Sequence, residues 1–326
     1  MWTDLIMTRD NDTPISPPLA PGHETTEPSR GIALALGGGV ARGWAHIGVL
    51  RAIDDAGIEI KMIAGTSIGA LVGGCYLAGK LDELQDFALS LTPRRMIGFL
   101  DITLGGSGLI SGGKLATRMA EHLGNTRIED LPKPLVCIAT EINTGHEIWL
   151  TKGSLIRAIR ASYALPGIFE PVKIGNRILV DGALVNPVPV PVCRAFESDA
   201  VVAVNLASDV FGRGTVIRDA DIDDDEPIDE EPEVRTNMRG FGDSALLRIG
   251  KALGVTGIMV ESFNIIQDRI ARSRLAGDPP DMSINPKVGD IGLAEFHRAD
   301  EAIELGYKAA QMEIHRLEQL AQPDIS

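Results

Sequence analysis

The chain has 326 residues, 44% of them hydrophobic, enough for the core of one large domain or two small ones. Its formal net charge of −14 argues against non-specific nucleic-acid binding, which needs clustered Lys and Arg. The three cysteines, Cys75, Cys137 and Cys193, are far apart and odd in number, so they indicate a reducing, cytoplasmic location and no disulfide framework.

Composition divides the chain into four regions. Residues 1–30 are polar, lack an apolar segment behind basic residues, and predict a disordered tail without a secretory signal. Residues 31–206 are the predicted main domain. A run of ten acidic residues without a basic one, Asp219–Glu233, marks residues 207–239 as an acidic flexible insertion. Residues 240–326 are predicted to be helical and to pack on the same domain.

Apolar strands alternate with amphipathic helices along most of the chain. The predicted strands are Gly31–Leu36, Ile60–Ala64, Leu135–Glu141, Glu147–Leu150, Arg177–Val180 and Val201–Leu206. The predicted helices are Arg42–Asp55, Ile68–Ala78, Leu81–Thr103 with a break at Pro93, Lys114–Leu123, Ser154–Ala161, Ala245–Leu275 and Leu293–Leu320, with a glycine-rich loop over Gly105–Gly113. This alternation predicts an α/β fold with helices covering a mostly parallel sheet.

The pentapeptide Gly65-Thr66-Ser67-Ile68-Gly69 joins one of these strands to a helix. A G-x-S-x-G turn of this kind lifts a serine hydroxyl clear of the sheet, as a nucleophile requires. The surrounding uncharged run, Met62–Gly79, is long enough to suggest a membrane span. Its five glycines and its Thr-Ser pair favour a buried strand, turn and helix instead.

Three glycines, Gly37 to Gly39, follow the first strand and precede a helix. A dinucleotide site would need a third spaced glycine where the chain has Arg42. The loop therefore offers backbone N–H groups to an anion, and Gly38 and Gly39 could face an oxyanion near Ser67, because both loops follow parallel strands. A tight packing turn is the alternative interpretation.

Two further stretches imitate ligand sites. Gly108–Lys114 matches a P-loop until Leu115, where Ser or Thr should hold magnesium. The acidic run places carboxylates at calcium-loop spacing from Asp219, but Asp224 occupies the position that requires glycine. We therefore expect a plain turn and a solvated loop, with no metal and no cofactor.

A serine nucleophile needs a base. Three of the histidines after Ser67 lie in polar-faced helical patterns: His122, His297 and His315. The fourth, His146, borders a strand, and all four settings suggest surface or structural roles. Asp181 follows the apolar strand Ile178–Val180 and precedes Gly182-Ala183, so its carboxyl group is well placed to enter a cleft. A turn-forming Asp-Gly pair is the alternative.

The order of these motifs resembles the bacterial branch of the patatin-like phospholipase family. The resemblance rests on the glycine loop with Arg42, the Ser67 pentapeptide, Asp181-Gly182-Ala183, the segment Ala161–Val172, and the stretch from Asn285-Pro286 to Gly306-Tyr307. Ala183 stands where plant members often have Gly. The resemblance implies a three-layer α/β/α patatin-like fold, with residues 31–206 as its catalytic domain.

The resemblance also implies a catalytic dyad of Ser67 and Asp181, with the amides of Gly37, Gly38 and Gly39 as oxyanion hole. Its supporting residues are Arg42, which would steady the loop or attract an anionic head group, and Gly65, Gly69 and Gly182. The implied reaction is hydrolysis of lipid acyl esters, as by a phospholipase A or lysophospholipase, without a metal or cofactor.

Two other functions stay open at this point: a lipid-binding or regulatory protein with little turnover, and an acyltransferase. The apolar residues of Ala245–Leu275 are expected either to pack in the core or to provide peripheral contact with a membrane. Head-group preference and oligomeric state are left undefined by the sequence.

Overall fold

The computed structural model describes residues 31–92, 108–110, 113–196, 198, 200–209 and 246–322. The expected N-terminal tail, most of the acidic insertion and the end of the chain lie outside these residues. So do the residues around Pro93 and the side chains of the P-loop-like stretch.

The centre of the fold is an eight-stranded sheet in which β5 pairs with β4 and the other strands follow the order β10-β9-β1-β2-β4-β8-β7. Its strands are β1 (Ile32–Leu36), β2 (Ile60–Thr66), β4 (Leu135–Glu141), β5 (Glu147–Leu150), β7 (Val172–Ile174), β8 (Arg177–Asp181), β9 (Val201–Val204) and β10 (Met282–Ile284). The five strands β10, β9, β1, β2 and β4 are parallel, whereas β5, β7 and β8 join through antiparallel pairs. Two short strands, β3 (Gly108–Ile110) and β6 (Gly167–Phe169), form a separate pair.

Two strands share one edge of β4. Three strands pair with β4: β2 pairs with Leu135–Ile138, β8 with Ala139–Glu141, and β5 with Cys137–Thr140. Because β5 overlaps both other strands and one edge accommodates one partner at a time, β2 and β8 must both lie on the opposite edge. They run toward each other and end at Thr66 and Asp181, opposite the consecutive residues Ile138 and Ala139.

Helices cover both faces of the sheet. The helices are α1 (Ala45–Asp55), α2 (Ile68–Leu77), α3 (Leu81–Ser90), α4 (Gly113–Leu123), α5 (Leu155–Ser162), α6 (Val190–Ala195), α7 (Leu246–Gly277), α8 (Ala299–Gln311) and α9 (Ile314–Leu320). Alternation along β1 explains the two layers: Ile32 and Leu34 pack in the larger core with α1, α2, α5 and α8, and Ala33 packs in the smaller core with α6 and α7.

The α/β/α architecture with a mostly parallel sheet is confirmed, and so are most predicted elements. Two predictions were wrong. Part of the glycine-rich loop Gly105–Gly113 is a strand, because Gly108–Ile110 pairs with β6. The single helix over Leu293–Leu320 is instead a short 3-10 turn followed by α8 and α9, and the bend after α8 allows Leu317 to reach the core.

The uncharged run that could be mistaken for a membrane span contains most of β2, the Ser67 turn and α2. Within the described part of the chain, no helix combines the length and the hydropathy that crossing a bilayer requires.

Candidate active site

Ser67 lies between β2 and α2 with φ 56° and ψ −122°, a conformation that a residue other than glycine rarely adopts. Glycine is required on both sides for steric reasons. A Cβ on Gly69 would lie 2.3 Å from the Leu36 carbonyl oxygen, and one on Gly65 would lie 2.6 Å from the Ala70 backbone. Tight packing under the turn therefore holds Ser67 in its strained conformation.

Asp181 meets Ser67 where β2 and β8 converge. The Ser67 hydroxyl donates a hydrogen bond to Asp181 Oδ2 at 2.7 Å, and the Ala183 N–H donates to Asp181 Oδ1 at 2.8 Å. Asp181 is only 2% exposed, and burial raises the pKa of its carboxyl group to about 7. The two hydrogen bonds lower this pKa, but the effect of burial is larger. The predicted pairing of these two residues is thus present in the geometry.

The backbone around Asp181 is fixed in several ways. The Thr140 hydroxyl donates to the Asp181 carbonyl at 2.9 Å, and the Asp181 N–H donates to the Ala164 carbonyl at 2.9 Å. Gly182 accommodates a close contact, since a Cβ there would lie 2.3 Å from the Ile138 carbonyl oxygen. These contacts explain why Gly follows the aspartate.

Ser162, at the end of α5, is a site residue that motif analysis missed. The buried N–H of Ser67 donates to Ser162 Oγ at 2.9 Å, and Ser162 itself has no solvent exposure. Its hydroxyl therefore satisfies an amide that the sharp turn leaves without a backbone partner. The only signal in the sequence was its position in the segment Ala161–Val172, whose purpose no local pattern reveals.

The glycine loop lies beside Ser67. A methyl group on Gly38 would lie 3.7 Å from Ser67 Cβ, in ordinary contact. The N–H groups of Gly37 and Gly38 already donate to the carbonyls of Val204 and Pro187, at 3.1 and 3.0 Å. Among the described residues, the Gly39 N–H has no hydrogen-bond acceptor.

Backbone strain is concentrated at this site. Within the described residues, Val40 (φ 50°) and Ser67 (φ 56°) are the two positions other than glycine with positive φ. Val40 follows directly on the glycine loop, and a β-branched residue in this region is strained. Such conformations persist where surrounding contacts impose them, and they occur most often at functional sites.

Arg42 supports the loop from behind. Arg42 as a whole is 6% exposed, and its guanidinium group donates through Nε to the Ile291 carbonyl at 2.8 Å and through a terminal nitrogen to the Gly289 carbonyl at 3.5 Å. Of the two roles considered for Arg42, these contacts favour steadying the loop, because burial keeps the charge away from an approaching head group.

Helix α7 lies beside the site. Gln267 Oε1 would lie 3.7 Å from a methyl group on Gly38, and Met259 Cε would lie 3.0 Å from one on Gly167. Near the C-terminal end of α7, Arg274 pairs with Glu147 on β5 at 3.3 Å. The helix therefore adjoins the glycine loop, β6 and the edge of the sheet.

The histidines considered as alternative bases are all exposed: His122, His146, His297 and His315. No hydrogen bond joins any of them to Ser67 or Asp181, while those two bond to each other. No group of three or more His, Cys, Asp and Glu side chains in the described ranges is arranged to hold a metal ion.

Similarity to known proteins identifies the family of this chain. The family model for patatin-like phospholipase matches residues 34–194, a range that includes the glycine loop, Ser67 and Asp181. An uncharacterized NTE family protein of Mycobacterium tuberculosis is 31% identical over 337 residues, which cover 88% of this chain and 92% of that protein. This chain belongs to the patatin-like phospholipase family.

More distant similarities extend beyond bacteria. Lysophospholipase nte1 of Neurospora crassa is 28% identical over 314 residues, covering 88% of this chain but 18% of that much longer protein. Among solved structures, VipD from Legionella pneumophila aligns with a TM-score of 0.44 and 13% identity, over 90% of this chain and 67% of VipD. Membership of the patatin-like phospholipase family supports lipid acyl ester hydrolysis in general terms.

Replacing Ser162 tests how the Ser67 turn of this patatin-like chain is held. In Ser162→Ala the buried Ser67 N–H loses its acceptor, so we expect the free energy of unfolding to fall by about 1–3 kcal/mol. Urea denaturation measures the change. Ser273→Ala, at an exposed serine of α7, is the control and should change stability by less than about 0.5 kcal/mol. Equal stability of the two variants would contradict the assignment.

Proposed function

We propose that the protein is a serine hydrolase that cleaves carboxylic esters of lipids through an acyl-enzyme on Ser67, with Asp181 as the base. The observation that carries the proposal is the 2.7 Å hydrogen bond between the Ser67 hydroxyl and a buried carboxyl group whose pKa is raised to about 7. An ordinary Asp, with a pKa near 3.9, is a weak base, and burial brings Asp181 into a useful range.

In the first half of the reaction, Ser67 Oγ attacks the ester carbonyl while its proton passes to Asp181 Oδ2. The carbon–oxygen bond to the alcohol then breaks as the protonated Asp181 returns that proton to the departing oxygen. The products are the free alcohol, such as a lysolipid or glycerol derivative, and an ester of the acyl chain with Ser67.

In the second half, water takes the place of the alcohol. Asp181, again ionised, accepts a proton from the attacking water, and the acyl–Ser67 bond breaks as Ser67 Oγ takes the proton back. The carboxyl group thus acts as base and acid in turn, and each cycle ends with the dyad in its starting state.

Both halves place negative charge on the former carbonyl oxygen, which the Gly37–Gly39 loop is proposed to stabilise. Gly38 lies against Ser67, and the Gly39 N–H is the loop amide without an acceptor among the described residues. Gly37 and Gly38 have N–H groups engaged with backbone carbonyls, so their expected part is mainly to shape the loop.

The dyad is tested by three variants. Ser67→Ala and Asp181→Asn should each lower kcat on a lysophospholipid by on the order of 10³-fold or more, because each removes a group that takes part in bond exchange. His297→Ala, at an exposed histidine, should keep kcat close to wild type. Fatty-acid release is the measurement, and Ser67→Ala should also lose fluorophosphonate labelling.

These measurements separate the competing functions. A folded wild-type protein that releases no fatty acid and is not labelled at Ser67 would support a lipid-binding or regulatory role. Products that depend on an added alcohol would indicate an acyltransferase. Loss of activity in His297→Ala with the fold intact would refute the Asp181 assignment.

Activity should depend on pH through Asp181. Its ionised form is required, so kcat/KM on a soluble ester should rise with pH, with a midpoint near 7, and level off above it.

Because the pKa is raised in the folded state, Asp181 stabilises the fold fully below its unfolded pKa, and that stability is lost as pH rises through 7. Asp181→Asn should therefore gain stability relative to wild type between pH 4 and 8, and a flat difference would contradict the raised pKa.

Contact with a lipid surface is supported by α7. Its outer face exposes Ile258, Ile265 and Ile266, each nearly half exposed. Helical periodicity places Gln267, which adjoins Gly38, on the opposite side from Ile258 and Ile265. A membrane that touches the outer face would therefore lie about one helix diameter from the dyad. A lipid that moves partly out of the bilayer could cross that distance and reach Ser67.

The double variant Ile265→Ser with Ile266→Ser tests this surface. Removing two exposed apolar side chains should weaken binding to phosphatidylcholine vesicles by about tenfold, as measured by sedimentation. Met312→Ser is the matched control, since Met312 is 76% exposed but lies after α8. Equal vesicle binding by both variants and wild type would exclude α7 as the contact.

A further inference from the structure

His46 is a buried titratable residue that the reaction described above does not use. It lies in the first turn of α1, has no solvent exposure, and its Nε2 is 2.8 Å from the Gly37 carbonyl oxygen. This contact connects α1 to the glycine loop beside Ser67. Among the described residues, it is the one hydrogen bond between a side chain and the loop.

The environment of His46 selects one tautomer. Nε2 faces a carbonyl oxygen, which accepts only, while Nδ1 has no hydrogen-bond partner among the described residues. A proton on Nδ1 would leave a buried donor unpaired and would set the Nε2 lone pair against the oxygen of Gly37. Burial also lowers the pKa of His46 to about 4, so the ring is a neutral Nε2–H donor at physiological pH.

The acceptor of this hydrogen bond belongs to a peptide unit held at both ends. The Gly37 carbonyl accepts from His46, and the N–H of the same peptide, contributed by Gly38, donates to the Pro187 carbonyl at 3.0 Å. Two adjoining glycines place no side chain in the way of a rotation that exchanges the two ends of this peptide. Hydrogen bonds must therefore select its orientation.

We propose that His46 is a positioning residue that fixes the Gly37–Gly38 peptide and thereby aims the following Gly39 N–H at the oxyanion site. The catalytic consequence rests on the proposed hydrolase function. With the peptide reversed, the Gly37 oxygen would leave His46 and the Gly38 N–H would leave Pro187. The Gly39 N–H would then lose its defined direction beside Ser67.

A matched pair of variants separates positioning from packing. Gln and Met have similar length and volume, but only His46→Gln retains a donor that can reach the Gly37 carbonyl. In His46→Met we expect kcat per fluorophosphonate-titrated site, on a short-chain soluble ester, to fall about 10–100-fold with KM little changed. His46→Gln should recover most of this loss. Wild-type kcat in His46→Met, or an equal loss in both variants, would overturn the proposal.

Nitrogen-15 NMR tests the same proposal without enzyme activity. In wild type, the His46 ring should show a protonated Nε2 and a bare Nδ1 from pH 8 down to about 5. The Gly38 and Gly39 amide signals should shift or broaden in His46→Met and stay near wild type in His46→Gln. A protonated Nδ1, or unchanged glycine amides in His46→Met, would overturn the positioning role. An inactive wild type with the expected spectra would overturn the hydrolase function alone.

Discussion

The arrangement of the site depends on the meeting of β2 and β8 along one edge of β4. A parallel neighbour ends at Thr66 and an antiparallel one ends at Asp181, opposite two consecutive residues of β4. The next residue after β2 is Ser67, so a serine on a sharp turn and a carboxyl group at a strand end come within hydrogen-bond distance. The backbone of the sheet, more than any side-chain contact, sets the separation of the pair.

This meeting point also bears on the proposal that an aspartate serves as base. It lies inside the sheet, where Asp181 is 2% exposed and, within the described residues, its carboxyl group accepts hydrogen bonds from only the Ser67 hydroxyl and the Ala183 N–H. Desolvation therefore outweighs those two bonds and raises the carboxyl pKa to about 7. A surface aspartate beside the same serine would stay ionised and weakly basic, so in the proposed mechanism burial takes the place of the histidine that a triad would supply.

Local patterns in the sequence predicted much of this. Hydrophobic periodicity indicated six of the eight strands of the large sheet and most of the helices, but it did not indicate β7, β10 or α6. Residue types at fixed spacing indicated Ser67 and the glycine loop, and the family resemblance selected Asp181. The direction of β8 could not be read in this way, because strand direction is decided by pairing with β4, about 40 residues earlier in the chain. Ser162 and His46 were not predicted for a related reason. Each forms a hydrogen bond to a backbone group that comes within its reach only when the chain is folded.

Ser162 and His46, the two residues that were not predicted, hold the backbone of the serine turn and the glycine loop in place. A glycine-rich loop and a strained serine turn allow a substrate to approach closely, but they provide few side chains to hold the backbone in place. Ser162 binds the N–H of the turn and His46 binds a carbonyl of the loop, each from a fully buried position. Both are neutral, so they hold the backbone beside Asp181 without adding a charge that would shift its pKa. Rigid backbone and a raised carboxyl pKa can therefore coexist in one small site.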